Sequence, residues 1–263
     1  MIERIRTIID KEWAEVFKNR LVLFTVVLLP LLFTLLPLVM LYATRPTPGA
    51  QGSATDIPLQ FLQYCSGVSA AECVQIYLIN TFMALFMIMP LAIPTAIAAY
   101  SVVGEKTTRS LEPLLATPIT TTELLAGKGL AAVIPAVGAT WAGFFIFVAA
   151  SPLVGASAGV MKYILSPTWL VAVLVVGPLA AVLATQFTLI VSSRVNDPRA
   201  AEQISMIIIV PLLGLIFSQV AGLIVINPRL MWIVALVLVG LDVVLINLGA
   251  RLFQRETILT KWK

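Results

Sequence analysis

Few side chains in this 263-residue chain can do chemistry, and the one that is missing excludes the most. There is no histidine, which removes Ser-His and Cys-His nucleophile activation, HExxH zinc sites and histidine-ligated haem. Gly127-Lys128 comes nearest to a GxxxxGKS/T phosphate loop, but Thr122 stands where its first glycine belongs and Gly129 follows the lysine, so ATP hydrolysis by that chemistry is excluded. An intramembrane aspartyl protease needs two carboxylates sharing a proton, and only Asp242 lies deep in an apolar run. A lone buried carboxylate is costly and marks a candidate functional position. Two other readings stand beside a functional role: the carboxyl is protonated, or it is bonded to a neighbouring helix near Gln186, Gln219 or Asn247, the last of which lies in the same run as Asp242. The two cysteines, Cys65 and Cys73, fall in a polar segment between apolar runs. An even count in an exposed loop on the oxidising side favours a disulfide.

The elements that hold these residues are set by composition. The chain is 60% hydrophobic and 11% charged, with a mean hydropathy of +1.01, far from the roughly 25% charge of an ordinary globular protein. Most of its length must be solvated by lipid. Apolar runs of about 20 residues or more fall at Leu21 to Ala43, Ile76 to Val103, Leu124 to Ala150, Pro167 to Ser192, Pro198 to Ile226 and Leu230 to Leu252. The fold class expected is an all-α membrane protein with six transmembrane helices over residues 21–263.

Charge sets the orientation. With both termini in the cytoplasm, fourteen of the 17 Lys and Arg residues fall inside and only Arg45, Lys162 and Arg229 outside, a strong positive-inside signal. The basic residues form no stripe, which argues against nucleic acid despite a net charge of +4. Residues 1–20 place Ile2, Ile5, Ile9, Trp13 and Val16 on one helical stripe opposite charged residues, the pattern of an amphipathic helix lying in the membrane interface. Residues 44–75 form the outside loop that holds both cysteines.

The cytoplasmic segment 104–128 is more structured than a plain connector requires. Leu111, Leu114 and Leu115 fall at i, i+3 and i+4, and Pro118 disfavours helix at Thr117, so a helix of about two turns is expected. Thr120 and Glu123 then make a capping box that starts the third span afresh. A short amphipathic helix between two spans is best explained as a docking surface for a cytoplasmic partner.

Glu105, Leu111-Glu112, Leu114-Leu115, Thr117-Pro118, Glu123 and Gly127-Lys128 together resemble the coupling-helix region of type 2 ATP-binding-cassette (ABC) exporter permeases, especially the sodium-exporter-like and multidrug-exporter-like branches. IDKEWAEVFKNR before the Pro30-containing first span, SSRVNDPRAAEQ between the fourth and fifth, and ARLFQRETILTKWK at the C-terminus are similar to the same family. Arg109-Ser110 stands where Gly-Thr is commoner, and Pro113 where Leu is common. The resemblance implies a plasma-membrane permease subunit that forms a translocation path with a second copy or a paralogue. It also implies coupling to two separate ATPase subunits, which carry ATP and magnesium, through Glu105, Arg109, Leu111, Glu112, Leu114, Leu115, Thr117, Pro118 and Glu123. No cofactor is expected on this chain.

Seven prolines lie within the runs, namely Pro30, Pro37, Pro90, Pro94, Pro135, Pro178 and Pro211. Each frees a backbone carbonyl, and the Pro90/Pro94 pair should make the second span the most deformable, a candidate gate. An ion-coupled secondary transporter using Asp242 and a membrane scaffold that only anchors a cytoplasmic partner are the alternatives.

Overall fold

The computed structural model describes residues 2–16, 18–44, 57–58, 61–65, 67–107 and 120–252. Among them there is no strand. The α-helices are α1 (Ile2–Val16), α2 (Arg20–Ala43), α3 (Ala70–Phe86), α4 (Met89–Thr107), α5 (Thr121–Ala150), α6 (Ala158–Ile164), α7 (Pro167–Val171), α8 (Gly177–Arg194), α9 (Pro198–Ser205), α10 (Val210–Val220) and α11 (Pro228–Leu252). Six stretches are long and apolar enough to cross a membrane: Val22–Ala43, Ala70–Glu105, Thr122–Ala150, Ala158–Arg194, Pro198–Val220 and Pro228–Leu252.

These are the six expected runs, most ends within about two residues and three shifted further. The second and fourth begin earlier, because the residues that start a helix are polar and fall outside an apolar window. Ser69 accepts from the Glu72 backbone N–H while Glu72 reaches back to Ser69, and Ser157 caps α6. The fifth helix stops at Val220, six residues before the end of its apolar run. Gly222 takes φ +72° there, with Leu223 N–H bonding Ser218 O and Gly222 N–H bonding Gln219 O, a Schellman turn that needs a residue without a Cβ.

Helix α4 is the centre of the molecule. Every residue from 89 to 99 is buried, and the helix packs on α8, α5, α9 and α2. Ala92, Ala96 and Ala99 on α4, with Ala180, Ala181 and Ala184 on α8, are all buried, and such small residues let two backbones approach closely where lipid offers no hydrophobic drive. Helices α2 and α11 lie outside and show leucine, valine and aromatic faces, among them Phe24, Leu31, Val39, Trp232, Leu236 and Val244. Those faces match a lipid solvent.

Proline decides where the inner helices change. A proline clashes with the carbonyl four residues before it and leaves that carbonyl without its donor. The second span does not bend smoothly at the Pro90/Pro94 pair. It ends as α3 at Phe86 and restarts as α4 at Met89, which puts Pro90 in a first turn, where its missing N–H costs little, and keeps Pro94 inside the helix. The fourth span widens into a π-helical stretch at Ala172–Val176 just before Pro178. The fifth tightens into a 3-10 turn at Met206–Ile209 before Pro211, with Val210 N–H bonding Ile207 O, the carbonyl that Pro211 leaves without a donor. The helices that follow the first two irregularities meet the third, for Leu91 of α4 and Ala180 and Ala184 of α8 share one apolar cluster with Ile208 and Ile209 of the 3-10 turn and with Leu212 and Leu238.

At the opposite end from α1, Cys65 and Cys73 are bonded with their Cα atoms 5.2 Å apart. The bond joins a short 3-10 turn, Leu62–Cys65, to α3. Phe61 packs edge-on against Tyr77 at 5.2 Å, and Tyr163 donates to Asn80 Oδ1 at 2.7 Å.

Candidate functional site

The site is built where α1 crosses the end of α4 and the start of α5. The sequence of α1 reads as an apolar stripe, but the residues it buries are Ile8, Glu12 and Val16, four apart on one helical face. Ile2 stays 82% exposed, and Ile5, Ile9 and Trp13 are only half-buried. The stripe is therefore rotated from its expected centre, and a carboxylate occupies the middle of the packed face. Glycine makes the crossing possible, since a Cβ on Gly127 would stand 2.6 Å from Ile8 Cγ2.

Glu12 is tolerated there because Lys128 meets it. Lys128 Nζ donates to Glu12 Oε1 at 2.6 Å and to Ser101 Oγ and O at 3.0 and 3.3 Å, which uses the three protons of an ammonium. Glu105 Oε2 lies 2.9 Å from the same nitrogen as an electrostatic contact. Lys11 Nζ donates to Glu105 Oε1 at 2.6 Å. The side chains of Glu12, Glu105 and Lys128 are each 2% exposed, that of Lys11 34%. Two cations and two carboxylates thus cancel in a pocket nearly closed to solvent, which is what buried charge requires. Burial alone would push the Lys11 ammonium down, but the hydrogen bond and charge of Glu105, with Glu12 and Glu15 nearby, outweigh it and hold the group above its ordinary value of 10.5.

A second contact ties α1 to α5. Trp13 Nε1 donates to Ala131 O at 2.9 Å, and the residue that would normally bond this carbonyl is Pro135, which has no N–H. Trp141 serves the π-helical stretch in the same way, donating to Val173 O at 3.1 Å. With five-residue spacing that carbonyl would look to Pro178. Two indoles therefore satisfy carbonyls left bare by proline.

Of the residues expected to couple segment 104–128 to ATPase subunits, the structure describes Glu105 and Glu123. Neither offers a free carboxylate: Glu105 belongs to the buried network, and Glu123 closes the capping box with Thr120 and lies 3.6 Å from Arg4. Arg109, Leu111, Glu112, Leu114, Leu115, Thr117 and Pro118 lie outside the described residues, as does the short helix expected there.

The polar residues of the spans are not gathered into one hydrogen-bonded site. Asp242 is 6% exposed, and neither of its oxygens has a partner among the described residues. The same holds for both amide atoms of the buried Gln219. Asn247 is exposed and bonds its own helix at Val243 O. Gln186 lies between two glycines, with its amide 3.4 Å from a Cβ position on Gly129 and 3.7 Å from one on Gly249. None of the three hydrogen-bonds Asp242 in the structure. Pro90 packs against the π-helical junction, its Cγ 4.0 Å from a Cβ position on Gly177, while Pro94 lies one turn further into α4.

No site role was expected for Lys11, Glu12, Ser101 or Trp141, while Trp13 was expected only on the apolar stripe and Lys128 only in the Gly-Lys motif. Two signals were present: Glu12 four residues from both Ile8 and Val16, and a proline four residues after Ala131. Among the described residues, no group of three or more His, Cys, Asp or Glu could hold a metal ion.

A family model described as ABC-2 family transporter protein matches residues 6–233, from α1 into α11. No curated protein matches the chain. With six membrane-length helices and a family match over most of its length, the chain belongs to the ABC-2 transporter family and is a multi-pass membrane permease of that family.

Proposed function

We propose that the chain is the transmembrane subunit of an ATP-driven exporter. It lies in the plasma membrane with both termini in the cytoplasm, pairs with a second copy or a paralogue, and lines a translocation path between the two. Two separate ATPase subunits hold ATP and magnesium and dock on segment 104–128, where Arg109, Leu111, Glu112, Leu114, Leu115, Thr117 and Pro118 provide the surface. Glu105 and Glu123 hold its two ends. Movement of that segment reaches the helix irregularities beside Pro90, Pro178 and Pro211 through α4, which carries Glu105 at one end and Leu91 in the apolar cluster at the other. The observation that carries this reading is the anchoring of both ends of the segment to α1: Glu105 before it, Glu123 and Lys128 after it. The distribution of basic residues supports the orientation.

The test is co-purification with ABC ATPase subunits of the same cell in mild detergent, comparing the native chain with Arg109→Ala/Glu112→Ala. Glu105 is left intact because its removal would disturb the buried network. The native chain should retain the ATPase, and the variant should weaken capture about tenfold, as loss of an interface anchor does. No capture in detergent or lipid nanodiscs sinks the docking assignment. The two oxygens of Asp242, which have no partner among the described residues, favour one other reading, an ion-coupled transporter, which predicts transport that persists without ATP and is lost in Asp242→Asn.

A further inference from the structure

We infer that Lys11 and Glu12 are positioning residues, through which α1 joins the end of α4 and the start of α5 into one rigid body that carries both ends of the docking segment. This deepens the function proposed above and rests on its docking assignment. The network is poorly suited to adding stability. Buried ion pairs seldom add more stability than apolar residues of the same shape, and their best-attested use is to fix register between elements. Here the register is three-way. Lys11 and Glu12 are neighbours on α1, yet one pairs with Glu105 on α4 and the other with Lys128 on α5, while Lys128 itself reaches Glu105 and Ser101.

A slide of α1 by one residue, about 1.5 Å along its axis, would lengthen the 2.6 Å contacts of Lys11 and Glu12 together. A rotation would turn both residues off their partners. The close approach of Ile8 to Gly127 resists separation, since only glycine leaves room for it. The Trp13 indole on Ala131 O marks a fourth fixed point one turn beyond Gly127. These contacts surround residues 105 and 128 from one side, so the two ends of the segment cannot move apart without breaking them. A loose amphipathic anchor would need none of these contacts.

The experiment uses the full chain in lipid nanodiscs with spin labels at Ala14→Cys on α1 and Thr122→Cys on α5, both exposed positions. Label-to-label distances are measured for the native network and for Lys11→Met/Glu12→Gln/Glu105→Gln/Lys128→Met, which removes every charge while nearly preserving volume. The native network should give one narrow distance, unchanged when ATP is bound by the captured ATPase subunits. The uncharged variant should capture the ATPase but give a broadened distance, and permease-dependent stimulation of ATP hydrolysis should fall about fivefold or more, the lower edge of a typical coupling effect. A native distance that shifts with ATP overturns the inference, as does an uncharged variant with native distance and native stimulation. If the native chain captures no ATPase, the docking assignment falls separately. The distances of the permease alone then decide: broadening in the uncharged variant supports the joint, and an unchanged distance overturns it. Should the fourfold variant not assemble, Lys11→Met/Glu105→Gln, which removes one pair and leaves Glu12 and Lys128 together, is held to the same outcomes.

Discussion

The α1 end and the proline-interrupted middle of the bundle solve the same problem, polar groups in apolar surroundings, in opposite ways. At the α1 end, charges on three helices neutralise one another at 2.6–2.9 Å. Such contacts are directional, and they define one arrangement. In the middle, backbone carbonyls left bare by proline are met one by one, Val173 O by an indole from another helix and Ile207 O by the N–H of a tighter turn. What joins the helices there is an apolar cluster around Leu91, Ala184 and Leu212, whose contacts have no preferred direction and survive small slides. The molecule thus pairs a stiff end with a middle that can repack.

Mutations at the two regions test this contrast. The largest effect is expected for Lys128→Met, which leaves Glu12 and Glu105 buried without their shared cation and should cost about 3–5 kcal/mol; equal thermal unfolding of mutant and native protein in detergent would show that the network carries no weight. Gly127→Val drives a side chain into Ile8 and should cost about 1–3 kcal/mol through overpacking. Ile8→Ala should recover part of that loss, so additivity of the two would show that α1 does not lie against α5 as described.

The indole contacts give a sharper comparison. Trp13→Phe should cost about 1 kcal/mol by stranding the Ala131 carbonyl, and much less in a Pro135→Ala background, where residue 135 regains its N–H. A double-mutant cycle with no coupling would separate Trp13 from the proline. The smallest effect concerns pH. Lys11 is held above 10.5 in the folded protein, so its contribution is fully present below 10.5 and disappears as pH rises through the higher folded value. The stability difference between native protein and Lys11→Met should therefore be flat at neutral pH and shrink only under strongly alkaline conditions.

Much of the architecture was readable from particular residues. Six apolar runs are sufficient for six membrane-length helices, because backbone polar groups in lipid must be satisfied within a helix. Thr120 and Glu123 announce the start of α5 because a capping box is local chemistry, complete within four residues. Prolines at 90, 178 and 211 mark three irregularities for the same reason. Their kinds were not readable: whether a bare carbonyl leads to a break, a π turn or a 3-10 turn depends on what neighbours it finds, and Trp141 is 32 residues from Val173. Asp242 is visible in the sequence, but its lack of a partner depends on where Gln186, Gln219 and Asn247 point.

Composition and spacing were enough to fix the solvent and the number of spans and to exclude histidine-based and P-loop chemistry, because they act over a few turns of chain. Tertiary structure alone decided that Glu12 is buried. Its partner Lys128 is 116 residues away, and a carboxylate on an amphipathic helix faces water unless a distant cation makes burial cheaper than exposure.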